Sequence, residues 1–408
     1  MFVKSDIRRE VLGGRESLLL QGDATMPQEA LQSLAGQAQC VYIDPPFMTG
    51  EEFRRKRVYG ESGWRTGKHA IQLDSYSDSF ENREQYLKFL RGLIENSFLL
   101  LQETGIFCLH LDWRTHPYAR MICDEIFGEK RFLNEIIWSY ESGGRASLRY
   151  SRKHDTLLLY ARSRKYHFDL TRVPLARENT RKNHLKRCVD EDGRTYRSII
   201  SGGKEYRYYD DEPTYPGDVW TDISHLQQRD PERTGFVTQK PLKLLDRVLK
   251  PAVRDGDLVV DLCCGSGTAM AAAQKLNCRF VGMDTQAEAL HTTVQRLSDG
   301  YVLDTETSQD EAVLDATFDP ESGMLTLTGF DAPHPALPKQ PDRLAFVEQW
   351  RAGRIVDGEL ICDVTFRRSR ETPDLPVWCL LPDGEGEPAV SITDAAGRRW
   401  VFRWQADA

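Results

Sequence analysis

The chain has 408 residues, 40% hydrophobic and 28% charged, which suits two or three domains with full cores and excludes a disordered or collagen-like protein. No run approaches 18 apolar residues and Met1 to Gly14 mixes charges with few apolar side chains, so the expected location is the cytoplasm, with no membrane partner and no secretory signal. Nine cysteines, an odd number with no Cys-x-x-Cys, argue for reduced thiols, and no metal site is expected.

The first strand-like run is Ser17 to Gln21, and the second, Cys40 to Ile43, ends in Asp44-Pro45-Pro46-Phe47. Proline lacks an N–H and disfavours helix in the residue before it, so Asp44 and Pro45 are held extended and the Pro45 carbonyl stays unclaimed. An exocyclic amino group on a flat ring would donate one hydrogen to Asp44 and the other to that carbonyl, with Phe47 stacked on the ring. Accepting both hydrogens draws the nitrogen lone pair out of the π system. The nitrogen becomes a nucleophile.

Thr49 to Asp74 is long, polar and glycine-punctuated, carries Arg54-Arg55-Lys56-Arg57, and reads as a mobile loop. Helical patterns at Arg83 to Gln102 and Pro117 to Phe127 alternate with strand-like runs at Gly105 to Leu111, Phe132 to Ser139 and Thr156 to Ala161. From Ser142 to Tyr209 there are 17 Lys and Arg against 7 Asp and Glu, a net +10 inside a chain of net charge −8. Between Leu170 and Gly235 the pattern breaks into short basic and aromatic pieces that include Tyr206, Tyr208, Tyr209 and Trp220.

A helix is expected from Pro241 to Val253, where Leu242, Leu245, Val248 and Leu249 recur at helical spacing. The buried-strand pattern Leu258 to Asp261 then runs through Gly265-Ser266-Gly267-Thr268 into an alanine-rich helix, and Arg279 to Met283 ends in Asp284, 23 residues past Asp261. This is a cofactor cradle: the glycines permit close backbone approach, and Asp284 can accept from ribose hydroxyls. A dinucleotide fingerprint would have a third glycine where Met270 stands, which favours S-adenosylmethionine over a nicotinamide cofactor. Gln286 to Leu297 closes the helical series. Strands alternating with helices argue a doubly wound α/β sheet, in which ligands bind outside the carboxyl ends of the strands, so Asp44 can come to lie beside Gly265.

With these motifs the sequence resembles the amino-methylating DNA methyltransferases of the permuted class, in which Asp-Pro-Pro-aromatic precedes the glycine loop. Its wording is closest to the modification subunits of type III restriction systems. Leu20-Gln21-Gly22-Asp23, Ile136-Ile137-Trp138, His154 to Tyr160, Gly217-Asp218-Val219-Trp220 and Thr238-Gln239-Lys240-Pro241 carry the likeness, over roughly residues 16 to 298. Two departures stand out. Leu262-Cys263 replaces a proline-aromatic pair, and Met48 stands where asparagine is common.

The resemblance implies a Rossmann-like methyltransferase sheet with helices on both faces, in residues 1–169 and 236–298. A target-recognition region would be inserted at 170–235, with Thr49 to Asp74 clamping DNA or covering the everted base. It implies a catalytic motif Asp44, Pro45, Pro46 and Phe47. The cofactor site would comprise Asp261, Gly265, Gly267, Thr268 and Asp284, Asp23 at the adenine edge, and Thr238, Gln239 and Lys240 closing over the cofactor. Asp with Phe in the tetrapeptide resembles the adenine enzymes, so the expected reaction moves a methyl group from S-adenosylmethionine to adenine N6 in duplex DNA after base flipping. An N4-cytosine or RNA amino group is the alternative substrate, and a non-catalytic cofactor- and DNA-binding subunit of a defence complex is the alternative of another class. No Pro-Cys dipeptide occurs, which disfavours ring-carbon methylation. The resemblance further implies double-stranded DNA, a homodimer, and a restriction or defence protein as partners.

After Ser298 short alternating strands such as Leu360 to Phe366 and Arg399 to Trp404 sit between Pro- and Gly-rich turns, with 10 Lys and Arg against 21 Asp and Glu. Residues 299–408 therefore read as a separate acidic, β-rich accessory module, better suited to a protein contact or structural support than to a duplex.

Overall fold

A computed structural model describes residues 1–26, 29–141, 146–176, 187–338 and 344–406. Six parallel strands run through its centre in the spatial order Tyr301–Asp304, Ser17–Gln21, Arg279–Asp284, Leu258–Asp261, Ala38–Ile43 and Leu101–Leu111. Most are near-continuous apolar runs, the pattern of strands covered on both faces. Alternate residues of Ala38–Ile43 enter different cores: Cys40 and Tyr42 join Leu245, Val248 and Leu290, while Val41 and Ile43 join Leu90, Leu93 and Ile122. Helices Leu242–Leu249, Thr268–Lys275 and Ala287–Val294 supply the first core, Arg83–Leu100 and His116–Phe127 the second. The doubly wound α/β fold is present.

The two motif-bearing strands are direct neighbours. Val41 pairs with Val260, the strands run the same way, and Asp44 and Asp261 therefore leave the sheet at one edge. Asp284, paired with Gln21, leaves there too, with Asp23 two residues beyond. The sheet continues antiparallel through His154–Ala161 and Phe132–Ser139, to which the short strand Val219–Trp220 adds in parallel.

Three differences from the sequence expectations have physical reasons. Thr49 to Asp74 is no loose loop: Glu52–Val58 and Ala70–Ser77 form an antiparallel pair around the helix Gly60–Thr66. Its burial alternates, so Arg55 and Arg57 point inward at 2% and 4% exposure while Arg54 and Lys56 face out. Arg55 Nη1 donates to Thr292 Oγ1 at 2.5 Å and to Glu288 Oε1 at 3.1 Å, pinning the hairpin to Ala287–Val294.

Trp220 is the second difference. It is a core residue whose Nε1 donates to the Gly217 carbonyl at 2.7 Å. The rest of the expected recognition region builds a three-stranded antiparallel sheet of Arg187–Val189, Thr195–Ser201 and Lys204–Tyr209, with Tyr206 and Tyr208 exposed. Of the basic stretch, Arg145, Arg177, Arg181, Lys182 and Lys186 lie outside the described residues.

Third, residues after Ser298 are β-rich as expected, but the sheet does not break there. Tyr301–Asp304 completes the parallel centre, and Arg9–Leu12 pairs with it on one side and with Glu359–Arg367 on the other. Val347–Val356, Glu387–Asp394, Arg399–Trp404 and Phe2–Ser5 carry the same sheet to 15 strands. At this join Glu10 is fully buried between Arg351 and Arg399, with Ser391 as a further donor.

Candidate active site

Pro45 and Pro46 carry the chain out of the Asp44 strand, and the hydroxyl of buried Tyr86 donates to the Pro46 carbonyl at 3.0 Å. Among the described residues no hydrogen bond uses the Pro45 carbonyl. After Phe47 the backbone turns sharply, with Met48 at φ 58°, the left-handed region that asparagine tolerates better than methionine. That gives a structural reason why asparagine would suit position 48. The turn is held by Asp78, whose carboxylate accepts from Met48 N at 2.8 Å, Thr49 N at 3.0 Å and Thr49 Oγ1 at 2.6 Å.

No pattern in the sequence marks Asp78, which stands between the expected loop Thr49 to Asp74 and the helix expected from Arg83. Asp78→Ala is expected to lower stability by about 2–4 kcal/mol through three lost charge-assisted bonds. Urea unfolding measures that loss. The loosened Phe47 turn should also lower kcat/KM by about tenfold.

Beneath Phe47 lies a buried polar chain. His110 Nε2 is 3.2 Å from Asp155 Oδ2, and donating there leaves Nδ1 to accept from the Tyr42 hydroxyl at 2.9 Å. Tyr140 donates to the other Asp155 oxygen at 2.8 Å, and the His110 ring stands 6.1 Å from the Phe47 ring. Burial raises the Asp155 carboxyl, but His110, Lys240 and Tyr140 outweigh it and leave it below its ordinary value. His110 and Asp155 orient the floor of the site.

Gly265 and Gly267 turn the neighbouring strand into its helix with φ 48° and 73°. A side chain on Gly267 would meet Thr293 at 2.5 Å, so packing alone already requires glycine there. Gly265 N donates to Asp284 Oδ2 at 2.9 Å, and Cys263 N donates to Asp261 Oδ1 at 3.0 Å. Thr268 Oγ1 donates to the Lys240 carbonyl at 3.1 Å, which ties the glycine loop to the segment across the cavity.

A single cavity of about 400 Å³ joins these pieces. Asp44 to Phe47, Asp23, Thr238, Lys240, Asp261, Gly265, Thr268 and Asp284 all line it, so the structure gathers nearly every expected site residue. Gln239 and Gly267 stand outside. Gln239 turns back to accept from Thr234 N at 2.8 Å and donate to the Glu232 carbonyl at 2.8 Å, holding the closing segment in shape. Lys240 was expected on the cofactor side, yet its Nζ lies 2.5 Å from Asp44 Oδ2 and 5.2 Å from the Phe47 ring centre. Burial and the nearby Asp261 carboxylate push the Cys263 thiol well above its ordinary range, so it supplies no thiolate.

Residues 38–295 match the family model described as DNA methylase. The chain belongs to the DNA methylase family. Type II methyltransferase M.EcaI of Enterobacter cloacae is 22% identical to it over 345 residues, covering 73% of this chain and 73% of that protein. The DNA adenine methyltransferase YhdJ of Escherichia coli strain K12 is 22% identical over 287 residues, covering 70% and 84%. Among solved structures, the M1.HpyAVI–SAM complex is 16% identical, with a TM-score of 0.42 and coverage of 69% and 98%.

The methyl donor of this DNA methylase is S-adenosylmethionine, and the cavity chemistry fits it. Burial pushes the Asp261 and Asp284 carboxyls up, Asp261 further through Asp44 and Asp284. A ligand carrying sulfonium and ammonium charge relieves that crowding. Among the described residues no helix is long and apolar enough to cross a membrane.

Proposed function

We propose that this DNA methylase methylates the N6 amino group of adenine in duplex DNA, taking the target base out of the stack. The observation that carries the reading is the shared cavity, in which Asp44 to Phe47 and the glycine loop wall one space on adjacent parallel strands. Asp284 and Asp23 are suited to hold the ribose and adenine of S-adenosylmethionine, with Asp261, Gly265 and Thr268 around the rest and Thr238 and Lys240 on the closing side. Bound there, S-adenosylmethionine supplies an electrophilic methyl group. Asp44 and the Pro45 carbonyl would accept the two amino hydrogens and Phe47 would stack on the base; as the N–C bond formed in line, the methyl–sulfur bond would break with its electron pair leaving on the neutral thioether, and Asp44 would take the proton lost by the amino group. Lys240 then leaves Asp44, since the incoming amino group takes the acceptor its ammonium holds in the free protein.

The relative named as a DNA adenine methyltransferase supports the choice of adenine. Residues 170–235 are proposed as the target-recognition region. A homodimer and a restriction or defence partner are proposed on the resemblance to modification subunits, and the cytoplasm as the place where all of these meet. Expression in a methylation-free host, followed by nucleoside mass spectrometry and modification-sensitive sequencing, should find N6-methyladenine at a defined motif. N4-methylcytosine instead, or unmodified DNA with methylated RNA, would replace this reading.

A further inference from the structure

The connection between Phe132–Ser139 and His154–Ala161 exposes two large apolar side chains almost completely. Leu148 and Tyr150 are each 97% exposed, and nothing among the described residues covers them. Their position is defined by the strands they join. Ser139 pairs with His154, and Tyr140 N donates to the Lys153 carbonyl at 2.9 Å, so the connection leaves and re-enters the sheet beside Asp155. Through Asp155 and His110 this is the edge that carries Phe47 and Asp44.

The charges around the pair suit a polyanion. Arg149 stands between the two and Lys153 follows three residues after Tyr150, while the Arg152 guanidinium lies 3.4 Å over the ring of Trp113, which follows the strand next to Asp44's own. Arg114 packs on the same ring at 4.9 Å. Cationic side chains thus accompany two exposed apolar ones on a connection that rises from the sheet edge carrying Asp44 and Phe47, the edge proposed to receive an everted base. Eversion leaves a gap in the stack, and exposed apolar side chains are the groups that proteins insert between base steps.

We propose that Leu148 and Tyr150 form the wedge that enters the duplex where the target base leaves it, while Arg149, Arg152 and Lys153 hold the adjoining phosphates. This rests on the amino-methylation reading above. Because both side chains are exposed, removing them spares the fold, and their effect should depend on how firmly the target base is paired.

The test compares wild-type protein with the Leu148→Ala/Tyr150→Ala variant on two duplexes carrying the motif found by sequencing, one fully paired and one mismatched opposite the target base. Loss of wedge stacking should lower kcat/KM of the variant about 10- to 100-fold on the paired duplex, and less than about threefold on the mismatched one. The fluorescence rise of 2-aminopurine at the target position should fall in parallel. Equal losses on both duplexes, or no loss on either, overturn the wedge while the amino-methylation reading stands. Wild-type protein that methylates neither duplex overturns both.

Discussion

Asp44→Ala is expected to lower methyl transfer by about 10²- to 10⁴-fold while leaving S-adenosylmethionine affinity within about threefold. The loss arises because an aromatic amino nitrogen keeps its lone pair in the ring until both hydrogens are drawn into strong bonds. The Pro45 carbonyl alone supplies one such acceptor and no site for the departing proton. Alanine also strips the Lys240 ammonium of its partner at 2.5 Å, so the single variant mixes lost chemistry with an unpaired, half-buried charge. Lys240→Met separates the two. It keeps the acceptor and should cost less than about tenfold in rate, and adding it to Asp44→Ala should restore stability without restoring transfer. Single-turnover methylation and calorimetric titration of the cofactor read these quantities. An Asp44→Ala protein that methylates at the native rate would remove the proposed acceptor role.

Glu10→Gln is expected to lower folding stability by about 3–5 kcal/mol, the range for breaking a buried ion pair by removing one partner. Glu10 is 0% exposed and holds Arg399 Nε at 2.6 Å, with Arg351 on its other oxygen. Glutamine keeps the shape but leaves two buried guanidinium groups without a countercharge. The same cluster predicts a pH dependence. Burial raises the Glu10 carboxyl, but Arg399 and Arg351 outweigh it and hold it down at about 2 against an ordinary value of 4.5. A depressed carboxyl contributes stability that is fully present above pH 4.5 and is lost as pH falls through about 2. Urea unfolding of the native protein should weaken across that window, and the Glu10→Gln protein should weaken less. An unchanged midpoint in the variant at pH 7 would count against the cluster as the brace of the join.

The catalytic half was legible because its information is local. Asp44-Pro45-Pro46-Phe47 and the Gly265–Gly267 turn each sit at the end of an apolar run, and a parallel sheet delivers strand ends to one edge whatever their order in the chain. Lys240 was legible as a cavity residue, but its reach across to Asp44 depends on the packing of the closing segment against Thr268, which no spacing encodes. Arg55 and Arg57 were misread for a related reason. Four adjacent basic residues look solvated, and only the strand's period of two, with an acidic pocket beneath, turns alternate ones inward. The continuous sheet was least legible, since nothing in Arg9-Glu10-Val11-Leu12 announces partners hundreds of residues away.

That distant pairing bears on how the protein is made. Val11 pairs with Ile361, 350 residues later, so at about 5–20 residues per second a ribosome takes roughly 20 to 70 s to deliver the partner. Throughout that interval the early strand offers open backbone donors and acceptors to any neighbouring nascent chain. Yield in cells should therefore respond to chaperone supply and translation speed more sharply than the finished enzyme's stability suggests.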